Sequence, residues 1–287
     1  MKISIITVVL NNLCGFKDTA ESILSQTSLK NVEWIVIDGG SHDGTREAII
    51  SFADKITYWV SEPDHGIYDG MNKGIKKATG DYTLFLNAGD TFAAKDTIAQ
   101  FCKIADSMCK FDYFSGIAFL TRQGKTVRTH YPPQIVTGLF FFKHSLCHQA
   151  TFIRTSRLQQ CGGYDSNYHI VADAKLFFED IVLRGADYSH LDFPICHYDI
   201  DGISSTQFMK TAEERTRYLQ QLLPSSIYKD YLHLASGETI LEKILCKYSS
   251  SSLFYRWMTL IAVLSYSPLS LFNRFKMLLR KFKKNRP

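Results

Sequence analysis

The sequence predicts an α/β fold in which a mostly parallel sheet is covered by helices on both faces. Within residues 1–90, apolar and β-branched runs alternate with segments of helical length. Strands that are apolar throughout, and not only at alternate residues, are typical of parallel sheets buried on both faces. The 287 residues, 45% of them hydrophobic, suffice for one large domain with an extension or for two small domains.

Residues 1–90 are predicted to form a βαβαβαβ unit. Apolar residues at helical spacing define its helices, and short apolar runs define its strands. The predicted strands are 3–9, 33–37, 56–60 and 82–86, and the predicted helices are 16–27, 45–52 and 67–79.

The chain beyond residue 90 is less regular. A Gly-containing turn should join two of its strands, an irregular loop should follow them, and helices should dominate from about Gln207. The predicted helices are 97–108, 155–161 and 171–184, the predicted strands are 113–120, 126–131, 150–153 and 188–197, and the loop runs from 132 to about 147.

The net charge of +5 is unevenly distributed along the chain. Residues 1–242 carry 23 basic and 28 acidic side chains, whereas the residues after Glu242 carry ten basic and no acidic ones. The main body therefore lacks the basic character of a nucleic-acid-binding protein, and we expect no nucleic acid as a partner.

The basic tail is predicted to form an amphipathic helix that binds an anionic membrane surface. Residues 257–273 carry no charge but contain a proline and several polar residues, so a membrane-spanning helix is the less favoured alternative. A soluble helix packed on the catalytic domain is the other alternative. The apolar stripe consists of Leu271, Phe272, Phe275, Leu278, Leu279 and Phe282.

Cysteine usage and the N-terminus indicate a cytoplasmic protein. Seven cysteines without a Cys-x-x-Cys pattern predict free thiols in a reducing compartment. The chain starts with a β-branched run and not with the long apolar segment of a signal peptide. Together with the tail, these features predict a peripheral location on the inner face of the cell membrane.

The segment 61–90, SEPDHGIYDGMNKGIKKATGDYTLFLNAGD, gathers acidic residues around one predicted helix and one predicted strand. Carboxylates where a buried strand ends are suited to a divalent cation and a phosphate ligand. The segment therefore predicts nucleotide chemistry at the edge of the sheet. The carboxylates are those of Glu62, Asp64, Asp69 and Asp90.

Asp38 ends the second predicted strand, where it could accept a hydrogen bond from a base or a ribose hydroxyl. The alternative is an Asx turn that caps the next helix, together with Ser41 and Asp43. No G-x-G-x-x-G motif and no P-loop follow the first strand, which argues against a dinucleotide dehydrogenase. A bound diphosphate would instead need a cation held by acidic groups.

Four ordered segments resemble family 2 glycosyltransferases of the GT-A fold. They are ISIITVVLNN, VEWIVIDGGSHDGT, the segment 61–90, and HQATFIR with the later GGYDSNYHIVADAKL. The strongest likeness is to bacterial members that build O-antigen, colanic-acid-type and other surface polysaccharides. The resemblance implies a catalytic domain over 1–205, with a nucleotide-sugar-binding part (1–110) and an acceptor-side part (111–205). Residues 206–287 would be a helical, basic, membrane-associating region.

The resemblance also implies inverting transfer of a sugar from a nucleotide donor, usually a UDP-sugar, with Mn²⁺ or Mg²⁺. Asn87–Asp90 occupies the place of the family's Asp-x-Asp metal motif but replaces its middle carboxylate with glycine. Asp90 would then hold the metal, with His197 as a possible second ligand. The implied donor-binding residues are Thr7, Val9, Asp38, Asp64, Asp69 and Asn87.

By the same resemblance, Asp173 would be the general base that removes the proton of the acceptor hydroxyl. A capping role at the start of its helix is the alternative. Asp180, in a Glu-Asp dipeptide seven residues later, would share nearly the same helical face. His148 and Gln149 would lie near the junction of donor and acceptor, and Ser204 belongs to a loop, 199–205, that would fold over the donor.

The resemblance thus implies a transferase that adds a hexose or an N-acetylhexosamine to a polyprenyl-diphosphate-linked oligosaccharide. One alternative is a nucleotidyltransferase that makes sugar nucleotides, although the first loop lacks the usual Gly-rich, basic sequence. The other is a non-catalytic, membrane-associated relative of a transferase, which the altered metal motif suggests.

Overall fold

A computed structural model describes residues 1–108, 110–200 and 207–236. Its described part contains nine strands in one sheet and nine α-helices. The strands are β1 (Ile3–Val9), β2 (Val32–Asp38), β3 (Tyr58–Ser61), β4 (Tyr82–Phe85), β5 (Thr91–Phe92), β6 (Tyr113–Arg122), β7 (Lys125–His130), β8 (Thr151–Arg154) and β9 (Tyr188–Asp199). The helices are α1 (Leu13–Leu24), α2 (Thr45–Ser51), α3 (Ile67–Ile75), α4 (Thr97–Ser107), α5 (Gly138–Lys143), α6 (Thr155–Gln160), α7 (Ala172–Phe177), α8 (Phe208–Leu222) and α9 (Ser225–Ser236).

The strand order is β3-β2-β1-β4-β8-β6-β9-β5, with β7 paired to β6. Strands β1 to β4 are parallel, and every residue of β1 and β4 is buried. The predicted βαβαβαβ unit is therefore confirmed. Because parallel strands end at one edge, the register that pairs Val9 with Asp38 brings the loops after β1, β2 and β4 together.

The second half of the sheet mixes directions. β8 is antiparallel to β4 and β6, whereas β6 and β9 run parallel. Gln123 and Gly124 join β6 to β7 with φ values of 49° and 73°, as a tight hairpin turn between right-handed twisted strands requires. The predicted Gly-containing turn is confirmed.

Aromatic side chains fill the core beneath β4, β6 and β8. The rings of Phe101 and Phe152 stack at 3.6 Å, and Tyr82 and Phe114 pack edge-on against Phe101. Such rings bury large apolar areas and add specific geometry. This packing fixes the strands whose ends carry the site.

Three local predictions differ from the structure. The expected loop 132–147 contains α5, which begins where the Thr137 side chain accepts a hydrogen bond from Phe140 N–H at 3.1 Å. His148–Ala150 forms a 3₁₀ turn, so β8 starts at Thr151 and not at residue 150. The predicted helix 171–184 changes after α7 into a π-helical stretch, Phe178–Leu183, which alters the direction of its later side chains.

The chain divides into two compact units, Met1–Lys229 and Asp230–Pro287, and α8 belongs to the first. The boundary at 205 that we predicted as a functional division stays a prediction. The amphipathic stripe 271–282 and the uncharged stretch 257–273 lie outside the described residues. Within the described residues, no helix has the length and hydropathy needed to cross a membrane.

Candidate active site

A cavity of about 760 Å³ opens at the carboxyl edge of β1 and β4. The start of α3, the β6–β7 hairpin, residues 145–149 and residues 169–173 enclose it. A space of this size is typical of small-molecule sites. Its polar lining residues include Asn12, Asp64, Asn87, Asp90, His130, Ser145, His148, Gln149, His169, Asp173 and Asp199.

Most of the residues that the sequence analysis singled out lie together at this cavity. Seven of them are lining residues: Val9, Asp64, Asn87, Asp90, His148, Gln149 and Asp173. They come from segments up to about 160 residues apart in the chain, so the fold is what assembles them. Ser204 lies outside the described residues.

Thr7 and Asp38 are not among the lining residues, contrary to our expectation of a nucleoside pocket. Both are fully buried. The Thr7 hydroxyl accepts a hydrogen bond from the Trp34 indole at 3.0 Å, and the Asp38 carboxylate accepts bonds from the backbone N–H and hydroxyl of Ser41. The Ser41 contacts are those of the Asx turn that we gave as the alternative for Asp38.

Asp64 and Asp69 differ in their surroundings. The Asp64 carboxylate accepts from Gly66 N–H at 3.0 Å and lines the cavity. A methyl group on Gly39 would meet its Oδ2 at 2.7 Å, so glycine at 39 leaves room for this carboxylate. Asp69 lies in the first turn of α3, where it accepts from His65 N–H at 3.1 Å, and it is not a lining residue.

The turn Asn87–Asp90 follows β4 and is fixed by α1. The Thr19 hydroxyl lies 2.7 Å from the Asp90 carbonyl oxygen, and Asp90 N–H donates to the Asn87 carbonyl at 2.9 Å. The Asp90 side chain is almost fully buried, and burial raises its pKa to about 7. A carboxyl with this pKa sits near its titration point at neutral pH and would be ionised by a bound cation.

Asp199 lies where the middle carboxylate of the family's metal motif is missing. Gly89 has a φ of 104°, and a Cβ built on it would lie 3.9 Å from the Asp199 carboxylate. The Asp199 backbone N–H donates to Asp90 Oδ1 at 3.2 Å. Burial has the largest effect on the pKa of Asp90, and the negative charge of the Asp199 carboxylate raises that pKa further. The end of β9 thus brings a second carboxylate beside Asp90.

His197 is placed differently from our expectation of a metal ligand. Its ring packs against Phe119 with centroids 5.2 Å apart, and it is not a lining residue. Burial lowers its pKa. The structure therefore brings Asp199, two residues later, to the cavity in its place.

The oxygen atoms near Asp90 fit a hard divalent cation. The described residues contain no group of three or more His, Cys, Asp or Glu side chains that could by itself hold a metal ion. Asn87 Oδ1 is buried there without a hydrogen-bond partner in the described residues. Mg²⁺-type cations commonly take one or two carboxylates and complete their shell with substrate phosphates and water.

Asp173 has both carboxylate oxygens engaged. The Tyr68 hydroxyl lies 2.8 Å from Oδ1, and His148 Nδ1 lies 3.1 Å from Oδ2. Burial alone would raise the pKa of Asp173, but the hydrogen bonds from His148 and Tyr68 outweigh it, and the pKa is lowered. The carboxylate is therefore ionised and held in one orientation.

The Tyr68 hydroxyl has two acceptors within reach and one proton. It lies 2.8 Å from the Ile170 carbonyl oxygen as well as from Asp173. Burial and the charge of Asp173 raise its pKa well above the usual value, so the hydroxyl keeps its proton. Sequence reasoning missed Tyr68 because it reads as one apolar position of the α3 stripe.

His148 forms the other half of the pair with Asp173. Burial would lower its pKa, but the hydrogen bond and charge of Asp173 outweigh burial and raise it. Its Nε2 is buried without a hydrogen-bond partner in the described residues. The sequence could suggest a role for His148 but not its partner, since the two residues are 25 positions apart.

Asp180 is a structural residue. Its buried carboxylate accepts hydrogen bonds from Arg157 at 2.8–3.0 Å and from the Tyr113 hydroxyl at 2.7 Å. The π-helical stretch after α7 removes the shared helical face that we expected for Asp173 and Asp180.

Unsatisfied polar atoms concentrate at the cavity. Buried polar groups are nearly always hydrogen-bonded in folded proteins, and exceptions call for an explanation. In the described part of the chain, six buried side-chain atoms lack a partner, and four belong to lining residues. These four are Asn87 Oδ1, His130 Nε2, Ser145 Oγ and His148 Nε2. His130 and Ser145 were not singled out from sequence, because lone polar residues in irregular segments carry no spacing signal.

The family description Glycosyl transferase family 2 matches residues 4–159, more than half of the chain. The chain belongs to this family. Among curated relatives, "Uncharacterized glycosyltransferase Rv1514c" of Mycobacterium tuberculosis is 32% identical over 207 residues, which are 71% of this chain and 77% of the relative. The protein is thus a glycosyltransferase, and the nucleotidyltransferase alternative is set aside.

Solved structures support the fold of this family 2 glycosyltransferase. S. aureus TarS 1–349 in complex with UDP-GlcNAc matches with a TM-score of 0.59 and 18% identity, over 82% of this chain and 71% of that one. The mannosyltransferase PcManGT from Pyrobaculum calidifontis, with GDP-Man and Mn²⁺, matches with a TM-score of 0.54 and 14% identity, over 90% and 83%. The GT-A-type fold expected from the sequence is confirmed.

Proposed function

We propose that this glycosyltransferase moves a hexose or an N-acetylhexosamine, with inversion, from a UDP-sugar to a lipid-linked oligosaccharide of a bacterial surface polysaccharide. The observation that carries the proposal is the oriented Asp173 carboxylate in the same cavity as Asp90 and Asp199. Inverting transfer needs one base at the acceptor and stabilisation of charge at the leaving group.

The donor would bind over the ends of β1 and β4. Val9, Asp64 and Asn87 line the cavity there. Asp90 and Asp199, with Asn87 Oδ1, are the groups that would hold Mn²⁺ or Mg²⁺ beside the donor diphosphate. When bound, such a cation neutralises charge on the departing nucleoside diphosphate. The two structural neighbours, one with UDP-GlcNAc and one with GDP-Man and Mn²⁺, support a nucleotide-sugar donor.

Asp173 would act as the base. The acceptor oxygen forms a bond to the anomeric carbon from the face opposite the diphosphate, and the electrons of the breaking C–O bond leave with that diphosphate. The hydroxyl proton moves to Asp173. Tyr68 can then turn its proton from Asp173 to the Ile170 carbonyl, which lies equally near, and so accommodate the neutral acid.

The acceptor would lie along the β6–β7 hairpin. β6 is three positions from β1 in the sheet, ~14 Å at the usual strand spacing. Leu120 and His130 line the cavity, and Arg128 pairs opposite Leu120, so that its side chain lies on the same face. Residues 113–147, which include this hairpin, contain four Lys or Arg and no Asp or Glu. This charge favours an anionic acceptor such as a polyprenyl diphosphate, in keeping with the predicted membrane-binding tail.

A nucleotide-binding panel is the first test of this function. Thermal unfolding would be measured with UDP, GDP, CMP, ATP and NAD, each with and without Mn²⁺. A ligand at about 100 times its Kd should stabilise by roughly 2.7 kcal/mol. We expect UDP to raise the Tm, and more so with Mn²⁺. A shift with GDP or CMP alone would keep the enzyme class and change the donor.

The catalytic step is tested with the Asp173→Asn variant and the donor so identified. Transfer to membrane-extracted lipid acceptor should fall by at least about 10³-fold in the variant, in the range of losses for an essential acid–base group. Asp187→Asn, at an exposed position outside the cavity, is the matched control. Unchanged transfer in Asp173→Asn would contradict the role of Asp173, and no nucleotide binding at all would favour a non-catalytic relative.

A further inference from the structure

The carboxylate of Glu214, on α8, holds the loop that leads into the Asp173 helix. Its oxygens accept hydrogen bonds from three consecutive backbone N–H groups, those of His169 at 3.0 Å, Ile170 at 2.9 Å and Val171 at 3.3 Å. Glu214 is 5% exposed. A buried carboxylate is retained only where such donors replace its water shell, so these contacts hold the loop firmly.

The remainder of α8 holds the same loop at further points. The Tyr168 hydroxyl lies 2.6 Å from Gln221 Oε1, and Arg217 donates to the Asn167 carbonyl at 3.0 Å. The Arg217 guanidinium also lies over the Tyr168 ring, 4.3 Å from its centroid. Together with the Glu214 contacts, five successive residues, 167–171, are bound to one face of this helix.

The same helix reaches the segment that carries His148. Arg215 donates to the His144 carbonyl at 2.9 Å, four residues before His148. Both chain segments that supply the Asp173–His148 pair are therefore anchored to α8. This helix follows the part of the chain matched by the family description, which ends at residue 159.

The Ile170 peptide links Glu214 to Asp173. Glu214 accepts from the N–H of Ile170, and the Tyr68 hydroxyl lies 2.8 Å from its carbonyl oxygen and 2.8 Å from Asp173 Oδ1. Without the hydrogen bond to Glu214, the Ile170 peptide could move, and the Tyr68 hydroxyl and the start of α7 would no longer be held in one position. The orientation of the Asp173 carboxylate would loosen with them.

We infer that Glu214 is a positioning residue for the base: it acts through the Ile170 peptide and Tyr68 to hold Asp173 at the angle that proton transfer needs. This inference rests on the proposed function of Asp173. It assigns to α8 a part in catalysis that requires no contact between Glu214 and the substrate.

The test is Glu214→Gln, which keeps the shape of the side chain but removes the charge and one acceptor oxygen. Glu213→Gln is the matched control, since Glu213 is the neighbouring exposed residue of the same helix. We expect kcat for transfer to fall at least tenfold in Glu214→Gln, with the UDP dissociation constant and the donor KM within twofold of wild type. Hydrogen exchange at residues 169–171 should become faster only in this variant.

The pH profile separates positioning from general loosening. The contacts of Asp173 lower its pKa, so weakening them should move the acidic limb of kcat to higher pH in Glu214→Gln. A general loss of stability would lower kcat evenly across pH and would weaken nucleotide binding too. Wild-type kcat and an unmoved acidic limb in Glu214→Gln would overturn the inference, as would an equal loss of kcat and UDP affinity.

Failure of the proposed function can be told apart from failure of this inference. If the wild-type protein transferred no sugar, the proposed function would be wrong. The positioning role of Glu214 could then still be measured by NMR, from the low-field signal of the His148 Nδ1 proton that is hydrogen-bonded to Asp173. Loss of that NMR signal in Glu214→Gln, but not in Glu213→Gln, would still support the positioning contact. Its persistence in both variants would overturn it.

Discussion

His148 Nδ1 lies 3.1 Å from Asp173 Oδ2, and each residue shifts the pKa of the other in the direction expected for an ion pair. The pair lines a cavity that also contains Asp90 and Asp199. The carboxylates of this site are therefore divided by what governs their pKa: Asp173 is hydrogen-bonded to a basic ring, whereas burial has the largest effect on Asp90. This division underlies the predictions that follow.

Replacing His148 with Gln should make Asp173 a weaker acid. The His148 hydrogen bond lowers the pKa of Asp173, and without it burial would raise that pKa. The acidic limb of a kcat–pH profile should therefore move to higher pH, and kcat should fall by about 10- to 100-fold at neutral pH. His190→Gln, outside the cavity lining, is the control. A limb that stays in place would show that His148 does not set the protonation of Asp173.

Asp90 should make the metal-free protein lose stability as pH rises. Its folded pKa, about 7, is above the usual carboxyl value of 3.8, so its favourable contribution is complete below pH 3.8 and is lost as pH rises through 7. Each pKa unit is worth about 1.4 kcal/mol. In urea unfolding with EDTA, Asp90→Asn should gain stability relative to wild type between pH 5 and 8. A difference that does not change with pH would refute the assignment.

The same carboxyl should make cation binding depend on pH. Because a metal ligand must be deprotonated, Mn²⁺ affinity should increase as pH rises through about 7 and then level off. Titration of Mn²⁺ followed by electron paramagnetic resonance, at pH 6, 7 and 8, measures this directly. Equal affinity at all three values would mean that Asp90 is not the titrating ligand.

Asp199→Asn should weaken Mn²⁺ binding in the presence of UDP by about 10- to 100-fold, because one of two neighbouring carboxylates is lost. Asp192→Asn is the matched control, since Asp192 is an exposed residue of the same strand. Isothermal titration of Mn²⁺ gives the answer without turnover. If both variants bind Mn²⁺ like wild type, Asp199 does not replace the carboxylate absent at Gly89.

Gly39→Ala should disturb the donor side of the cavity. The added methyl group would meet Asp64 Oδ2 at 2.7 Å, and such overpacking typically costs about 1–3 kcal/mol. Tm and UDP affinity should both fall. The double variant Gly39→Ala/Asp64→Ala should recover most of the Tm, because the clashing atom is gone. Additive losses in the double variant would place the strain elsewhere.

Asp180→Asn should affect stability and not the chemical step. Asp180 is fully buried but Arg157 is 26% exposed, so losing the charged hydrogen bonds between them should cost about 1.5–3 kcal/mol. Urea unfolding should show this loss. At a temperature where the variant is folded, its kcat should stay within a few-fold of wild type. A 10³-fold loss of kcat in the folded variant would show that Asp180 takes part in the chemical step.

The parallel half of the fold was predictable because its strands are apolar throughout and bounded by turn residues. β1, β2 and β4 needed no information from distant parts of the chain. The placement of Asp64, Asp90 and Asp173 at the cavity was predictable for a similar reason, since each lies within a few residues of the end or start of a regular element. Their pairing with Tyr68 and Asp199 depends on long-range packing, which periodicity does not report.

Two placements that the sequence does not reveal have specific physical causes. Asp38 has the position of a ligand-binding residue, but Ser41 and Ser61 donate hydrogen bonds that occupy its carboxylate. Asp180 has the spacing of a partner to Asp173, but π-helical winding changes its direction. Neither a serine neighbour nor a π-helical stretch leaves a distinct pattern in a single sequence.

The hydrogen bonds between α8 and residues 167–171 determine how far this chain can be shortened without losing activity. A truncation at 205, the end of the region that resembles the family, would remove Glu214, Arg217 and Gln221 along with the basic tail. Such a fragment would retain the described residues that line the cavity, but it would lack the α8 contacts that position Asp173. The smallest active fragment should therefore extend at least through Leu222. Its C-terminal end is set by α8, a helix that carries none of the catalytic motifs.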